Sequence, residues 1–228
     1  MTTSGTTAFT LDLLETVEEA FERCGAEPRS GYDLRTARRS INLLFADWAN
    51  RGMNMWTMDA GSVNLTAGVP TYLLPADTID VLDCTIRMND AVVQTQNDMP
   101  LSRISQSVYS TIPNKLTPGK PNQMVINRLV AAPTITLYPV PNDSTAKLIV
   151  WRLRRIQDVT GGADTNDIPF RLLPAFVSGL AYYLSFKIPG AMDRSQALKA
   201  VYDEDFQRAS DEDREKAPVR FIPRIGRI

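Results

Sequence analysis

Histidine is absent from all 228 residues. That removes Ser-His-Asp and Cys-His catalysis, His-ligated metals and imidazole pH switching. Cysteine is scarce. Cys24 and Cys84 are the only two, and they form no CxxC pair, which excludes zinc ribbons and thioredoxin-type redox sites. Each falls in an apolar pattern and reads as a small buried hydrophobe, in keeping with a reducing compartment. Long apolar runs are also missing. The longest near-apolar stretch, Pro174 to Phe186, is shorter than the about 20 residues needed to span a bilayer. The opening Met-Thr-Thr-Ser-Gly-Thr-Thr has neither the basic nor the apolar region of a signal peptide, so a soluble protein without membrane partners is expected. Neither sign of charge dominates: 25 Lys+Arg stand against 26 Asp+Glu, a formal net charge of -1. Any polyanion-binding surface would have to be local.

What is present is an ordinary globular composition, 43% apolar and 22% charged, on a chain long enough for one large domain or two small ones. The stretch from Asp33 to Pro75 organises it. Leu34, Ala37, Ile41, Leu44, Phe45 and Trp48 recur at steps of three and four and so line one helical face. Asp33 stands where an N-cap belongs and Gly52 just past the last turn. From Trp56 the pattern turns to short β-type runs broken at Ala67-Gly68-Val69-Pro70.

Ahead of that stretch, Thr10 to Cys24 reads as a helix capped by Thr10, with Leu13, Leu14, Val17, Ala20, Phe21 and Cys24 inward. A short link then predicts antiparallel packing of the two helices. Strands are expected at Met55–Leu65, Thr71–Leu74, Val81–Met88, Val92–Gln94, Met124–Asn127, Thr134–Pro139 and Ala146–Leu153, with a helix within Leu101–Ser110. Leu148-Ile149-Val150-Trp151 is the most apolar run and the candidate central strand. A helix starting at Phe170 or Pro174 and ending at Lys187 carries small residues (Ala175, Ser178, Gly179, Ala181) that permit close helix approach. A last helix, Asp193 to Glu215, turns Leu198, Val201, Tyr202 and Phe206 inward and ends in a solvated SDEDREK run. The expected class is α+β. A helical bundle formed by the N- and C-terminal helices (residues 1–52 and 161–215) carries an inserted antiparallel β-sandwich or barrel (53–160) and an extended C-terminal tail (216–228). The second helix is expected to hold much of the bundle core.

Motifs for chemistry are lacking. There is no GxSxG, Walker loop or GxGxxG. Thr117-Pro118-Gly119-Lys120-Pro121 lacks the glycine spacing and following Ser/Thr of a phosphate loop and reads as a turn. Asp164, Asn166 and Asp167 form an incomplete calcium string, read as a loop ending in a helix cap. Asp203, Asp205, Asp211 and Asp213 sit on a charged helix end, where carboxyls are not perturbed for acid–base work. No enzyme activity, cofactor or metal is expected.

Two surface features stand out. Arg35, Arg38 and Arg39 lie off the apolar stripe of the second helix, either as a solvated face or as a subunit contact. The tail Ala217 to Ile228 alternates Arg220, Arg224 and Arg227 with Phe221, Ile222, Ile225 and Ile228, while Pro218 and Pro223 keep it extended. It can fold back on its own subunit or dock into another subunit or partner. The second reading is favoured because an Ile- and Phe-rich tail seldom stays bare in water.

Leu43, Leu44, Trp48, Arg51-Gly52, Trp56, the Leu65-x-x-Gly68-x-x-x-Tyr72 run, Leu74-Pro75 with Val81-Leu82, and the later helix Leu172 to Phe186 together resemble the head-to-tail adaptor proteins of short-tailed phages. These are the tail tubular or head-completion connectors. The resemblance implies a dodecameric ring below the portal protein that extends the DNA channel toward the tail nozzle protein. It also implies extended C-termini that reach the portal and no catalytic residues. By that resemblance Val219, Arg220, Phe221, Ile222, Pro223, Arg224, Ile225, Gly226, Arg227 and Ile228 are the portal-docking tail. The implied partners are the portal, the nozzle, further copies of the chain, a tail fibre or tailspike, and double-stranded DNA that passes without sequence-specific binding. The place is the virion head–tail junction, reached from the host cytoplasm during assembly. A subunit monomeric until it meets the portal is expected, since ordering the tail there makes assembly sequential. The alternatives are a soluble module whose tail docks a single partner and a neck or tail-completion protein of a longer-tailed phage.

Overall fold

Helix α1 (Leu13–Cys24) begins at a reciprocal cap. The Asp12 carboxylate accepts from the Glu15 N–H at 2.8 Å, and the Glu15 carboxylate accepts from the Asp12 N–H at 3.2 Å. Thr10, the expected cap, loses to Asp12 because only Asp12 has a Glu three residues on. The computed structural model describes residues 5–6, 9–29, 31–90, 92, 94–161 and 166–214. The other helices are α2 (Gly31–Asn50), α3 (Gln106–Ser110), α4 (Leu173–Ser185) and α5 (Ser195–Glu212). The chain divides into two compact units, Met1–Trp56 with Gln157–Ile228, and Thr57–Ile156.

The first unit is a four-helix arrangement built from both ends of the chain. The buried stripe of α1 is Leu13, Thr16, Val17, Ala20, Phe21 and Cys24, with Leu14 turned outward at 40% exposure. The stripe of α2 is Ala37, Ser40, Ile41, Leu44, Phe45 and Trp48. The helix starts two residues before Asp33, which lies in its first turn rather than at its cap. Gly52, at φ +83°, takes the left-handed turn that stops it, and Met53 N–H closes back on the Trp48 carbonyl at 3.1 Å.

The centre of the unit is α4, not α2. It packs against α1, α2 and α5, whereas α1 and α2 barely meet. The reason is in its sequence: LPAFVSGLAYYLS is apolar or small nearly all round, and such a helix can only be interior. Gly179 faces both neighbours there. A Cβ added to it would lie 2.8 Å from Tyr202 Cε2 and 3.1 Å from Leu44 Cδ1, so α4 packs this closely only because the position has no side chain. Around that point Trp48 is fully buried. Its indole N–H donates to the Tyr202 hydroxyl at 3.0 Å, and its ring lies 6.3 Å from both Phe176 and Phe206. Burial pushes the Tyr202 hydroxyl pKa up to about 12. On α5 only Tyr202 and Ala209 are buried, and Val201, expected inward, is 46% exposed.

The second unit has two four-stranded sheets. Its strands are β1 (Met58–Asn64), β2 (Thr71–Leu73), β3 (Thr78–Met88), β4 (Asn97–Pro100), β5 (Ser102–Arg103), β6 (Pro118–Gly119), β7 (Gln123–Asn127), β8 (Thr134–Tyr138), β9 (Val140–Pro141) and β10 (Lys147–Arg154). One sheet has the order β1-β10-β3-β4 and is antiparallel throughout. The other has the order β2-β8-β7-β5, with β5 parallel to β7, and β6 and β9 form a separate parallel pair. Both sheets supply one core, in which Tyr72, Val81, Ile86, Met124, Ile135, Leu137, Leu148 and Val150 are buried. Strand β10 is paired on both sides, with Val150 opposite Gly61 and Cys84. It alternates in spite of its apolar run: Leu148 and Val150 point in, and Trp151 is 50% exposed.

The next inward position of β10 is Arg152, 8% exposed, held by Asp77 at 2.6 Å and Asp59 at 2.9 Å. Of the expected strand Val92–Gln94, Val92 and Gln94 are not in a strand, and Val93 lies outside the described residues. Val92 N–H closes a turn on the Asn89 carbonyl, with Asn89 at φ +55°, and the strand that pairs with β3 is Asn97–Pro100.

Candidate functional site

The groups that chemistry would use are occupied by structure. Cys24 donates its S–H to the Ala181 carbonyl at 3.3 Å, and burial raises its pKa. Cys84 is pushed up to about 12 by burial, with the neighbouring Asp83 charge adding to it. Neither thiol supplies a thiolate near neutrality. Asn166 donates to the Leu11 carbonyl, and the Asp167 carboxylate accepts from Gln157 N–H at 3.0 Å. Asp164 lies outside the described residues. Gly119 pairs with Pro141 in the short parallel ladder, so the Gly-Lys pair is not at a helix entry. Asp211 accepts from Gln207, and Asp205 lies 3.9 Å from Arg208. Asp213 departs from the solvated end that was expected: its side chain is fully buried, paired with Arg171 and accepting from Met55 N–H. No group of three His, Cys, Asp or Glu residues able to hold a metal occurs among the described residues. No described helix is long and apolar enough to cross a membrane.

The surfaces are more informative, and two lie on the bundle. The first is the arginine face of α2. Arg35 donates to the Gly31 carbonyl and Arg38 to the Thr160 carbonyl, while Arg39 reaches the Thr36 hydroxyl at 3.4 Å. Among the described residues none of the three has a carboxylate partner. Together with the exposed Tyr32 they line a shallow cavity of about 350 Å³. Lys187 adjoins it and donates to Ser40 at 2.7 Å. Burial and the Arg39 charge hold its pKa below the ordinary lysine value. Cations packed this closely suit a carboxylate-bearing partner.

The second surface is a groove of about 740 Å³ between α1 and the start of α4. Its floor is apolar. Phe9 and Phe170 meet edge to face at 6.3 Å while remaining 67% and 69% exposed, and Leu173, Pro174 and Val177 continue it. Its wall is acidic, made by Glu15, Glu18, Glu19 and Glu22 of α1. Glu19 is taken by Arg23 and Glu15 by the helix cap, whereas Glu18 and Glu22 have no partner among the described residues. This wall is not among the surface features singled out from the sequence. Its signal was present, since acids at 15, 18, 19 and 22 repeat at helical spacing on one face. What turns a solvated stripe into a groove is Phe170, which comes from the turn just before α4.

Residues Val219 to Ile228, expected to form the docking tail, lie outside the described residues.

The family that the chain matches is one of phage head–tail adaptors, which is a structural class and not a class of enzyme. The SU10 adaptor protein family matches the chain over residues 7–222, and the chain belongs to that family. No curated protein matches it.

Proposed function

We propose that this adaptor forms a ring that joins the portal to the tail nozzle and continues the DNA channel, in the number of copies set by the portal's symmetry, twelve by resemblance. The observation that carries this reading is the extent of the family match, which takes in both units and runs into the tail. Arg35, Arg38 and Arg39 are assigned to the contact between neighbouring copies, because among the described residues they are cations without carboxylate partners on one helix. Residues Val219 to Ile228 are assigned to the portal, because they combine three arginines with five apolar side chains and no acid. DNA passes without sequence-specific contact, in keeping with a net charge of -1.

The test is the native mass of the purified chain with and without its portal ring, repeated after deletion of Val219 to Ile228. The full chain is expected to be monomeric alone and to add to the ring in portal stoichiometry, and the shortened chain to stay free. A stable ring of isolated protein would count against sequential assembly. A chain that binds one soluble partner in one or two copies and ignores the portal would replace the adaptor role with that of a binding module.

A further inference from the structure

The acidic, apolar-floored groove between α1 and α4 has no occupant among the described residues, yet it leaves two large rings two-thirds bare. Exposed apolar surface of that kind marks a docking site, and its chemistry defines the ligand. Two glutamates without partners among the described residues stand above phenylalanines that meet edge to face. They call for a peptide that alternates cations with apolar side chains.

The chain itself carries such a peptide. Residues 219–228 read VRFIPRIGRI, with Arg220, Arg224 and Arg227 set among Val219, Phe221, Ile222, Ile225 and Ile228. The point at which the described chain stops is equally specific. Asp213 is ion-paired with Arg171, and Arg171 lines the groove. The end of α5 is therefore fixed at the groove's rim, one residue before the last described position, Arg214. Residues 215–228 can reach about 45 Å when extended, at roughly 3.3 Å per residue. The 12 residues of α1 span about 18 Å. Length and starting point both allow the tail to run along the groove of its own chain, and the prolines at 218 and 223 disfavour a helix in its sequence.

We propose that in the free chain residues 219–228 lie in the α1–α4 groove of the same molecule, with the arginines against Glu18 and Glu22 and the apolar side chains over Phe9 and Phe170. The groove then shields the tail from water, and from premature contacts, until a stronger site is offered. This inference does not need the portal reading, although a portal would be the natural competitor.

The test uses the full chain and an arginine-specific protease at low salt, following cleavage after Arg220 and Arg224. In the wild type, cleavage is expected to be slow, to be independent of protein concentration, and to accelerate at least tenfold in 0.5 M salt. Glu18→Gln/Glu22→Gln and, separately, Phe9→Ala are each expected to speed it at least fivefold. All three residues are exposed, so the melting temperature should stay unchanged. Glu27→Gln, outside the groove, should leave the rate as it is. Wild-type cleavage as fast as that of both variants would overturn the proposal. So would cleavage that slows as protein concentration rises, which would place the tail on a second copy.

Discussion

The bundle and the β unit solve the problem of charge in opposite ways. In the β unit charges are paired. Arg152 lies between Asp59 and Asp77, Arg87 grips Asp98 through two nitrogens, Lys147 meets Asp90, and Asp80 takes both Arg103 and Arg128. Among the described residues, the bundle has a largely apolar and aromatic interior with one buried acid, Asp213, paired to Arg171, and it carries on its outside two charged sets without ion-pair partners, the arginines of α2 and Glu18 and Glu22 of α1. Paired charges define register and leave little for a partner to recognise. Charges without partners on rigid helices are available for recognition. In the reading proposed above, the β unit would serve as scaffold and the bundle would carry the docking surfaces.

If the bundle stands on packing, Trp48→Ala should be the most damaging single change. It removes a fully buried indole at the meeting point of α2, α4 and α5, and should cost about 3–5 kcal/mol. Denaturant unfolding gives the total. Hydrogen exchange, read separately for residues 13–50 and 58–154, should place the loss in the bundle.

The corresponding break in the β unit is Arg152→Ala. Its two acids are each about half exposed, so the loss should fall below that of a fully buried pair, at about 2 kcal/mol. Arg152→Met, which fills the space without charge, should recover part of it. Equal losses for both variants would mean that the ion pairs, not the occupied volume, hold β1 and β3 to β10.

A comparable effect is expected at Gly179. A methyl group there meets Tyr202 and Leu44 below contact distance, and Gly179→Ala should cost about 1–3 kcal/mol, seen as a lower melting temperature. Leu44→Ala added to it should give less than the sum, because the clash is relieved.

The smallest effects are those of pH, and they separate the units by direction. The raised Tyr202 pKa means that the folded bundle keeps its proton where the unfolded chain loses it. That stability is complete below pH 10 and falls away as pH rises from 10 to about 12. In the β unit the Lys147 hydrogen bond holds the Asp90 carboxyl low, and the Arg87 hydrogen bond does the same for Asp98. Their contribution is present above the ordinary 3.8 and is lost as pH falls below it. Alkaline titration should therefore loosen the α4–α5 contact, and acid the β3–β4 hairpin, each followed by hydrogen exchange.

Much of this was legible from the sequence alone. The stripes of α1 and α2 repeat at the helical period and the small residues of α4 stand out on its sequence, while the place of β10 between two partner strands follows its apolar run rather than its alternation. Three features were not. Val92 pointed to a strand by propensity, whereas the polar Asn97–Pro100 is the strand because β3 offers it a partner. The central place of α4 shows only when its apolar residues are counted around the helix rather than along one stripe. The groove needed tertiary structure, since Phe9 and Phe170 stand 161 positions apart in the chain. The arginines of α2 were legible as a cluster, and their lack of carboxylate partners became visible only in the fold.

The central claim is that this chain is the ring between portal and tail, anchored by its C-terminal segment. The measurement that bears on it most directly is a cryo-electron microscopy reconstruction of the virion's head–tail junction. The account predicts one copy of this chain per portal subunit just below the portal, Arg35, Arg38 and Arg39 against acidic groups of the neighbouring copy, and residues 219–228 laid on the portal. A junction built without this chain, or a ring whose residues 219–228 never touch the portal, would contradict it.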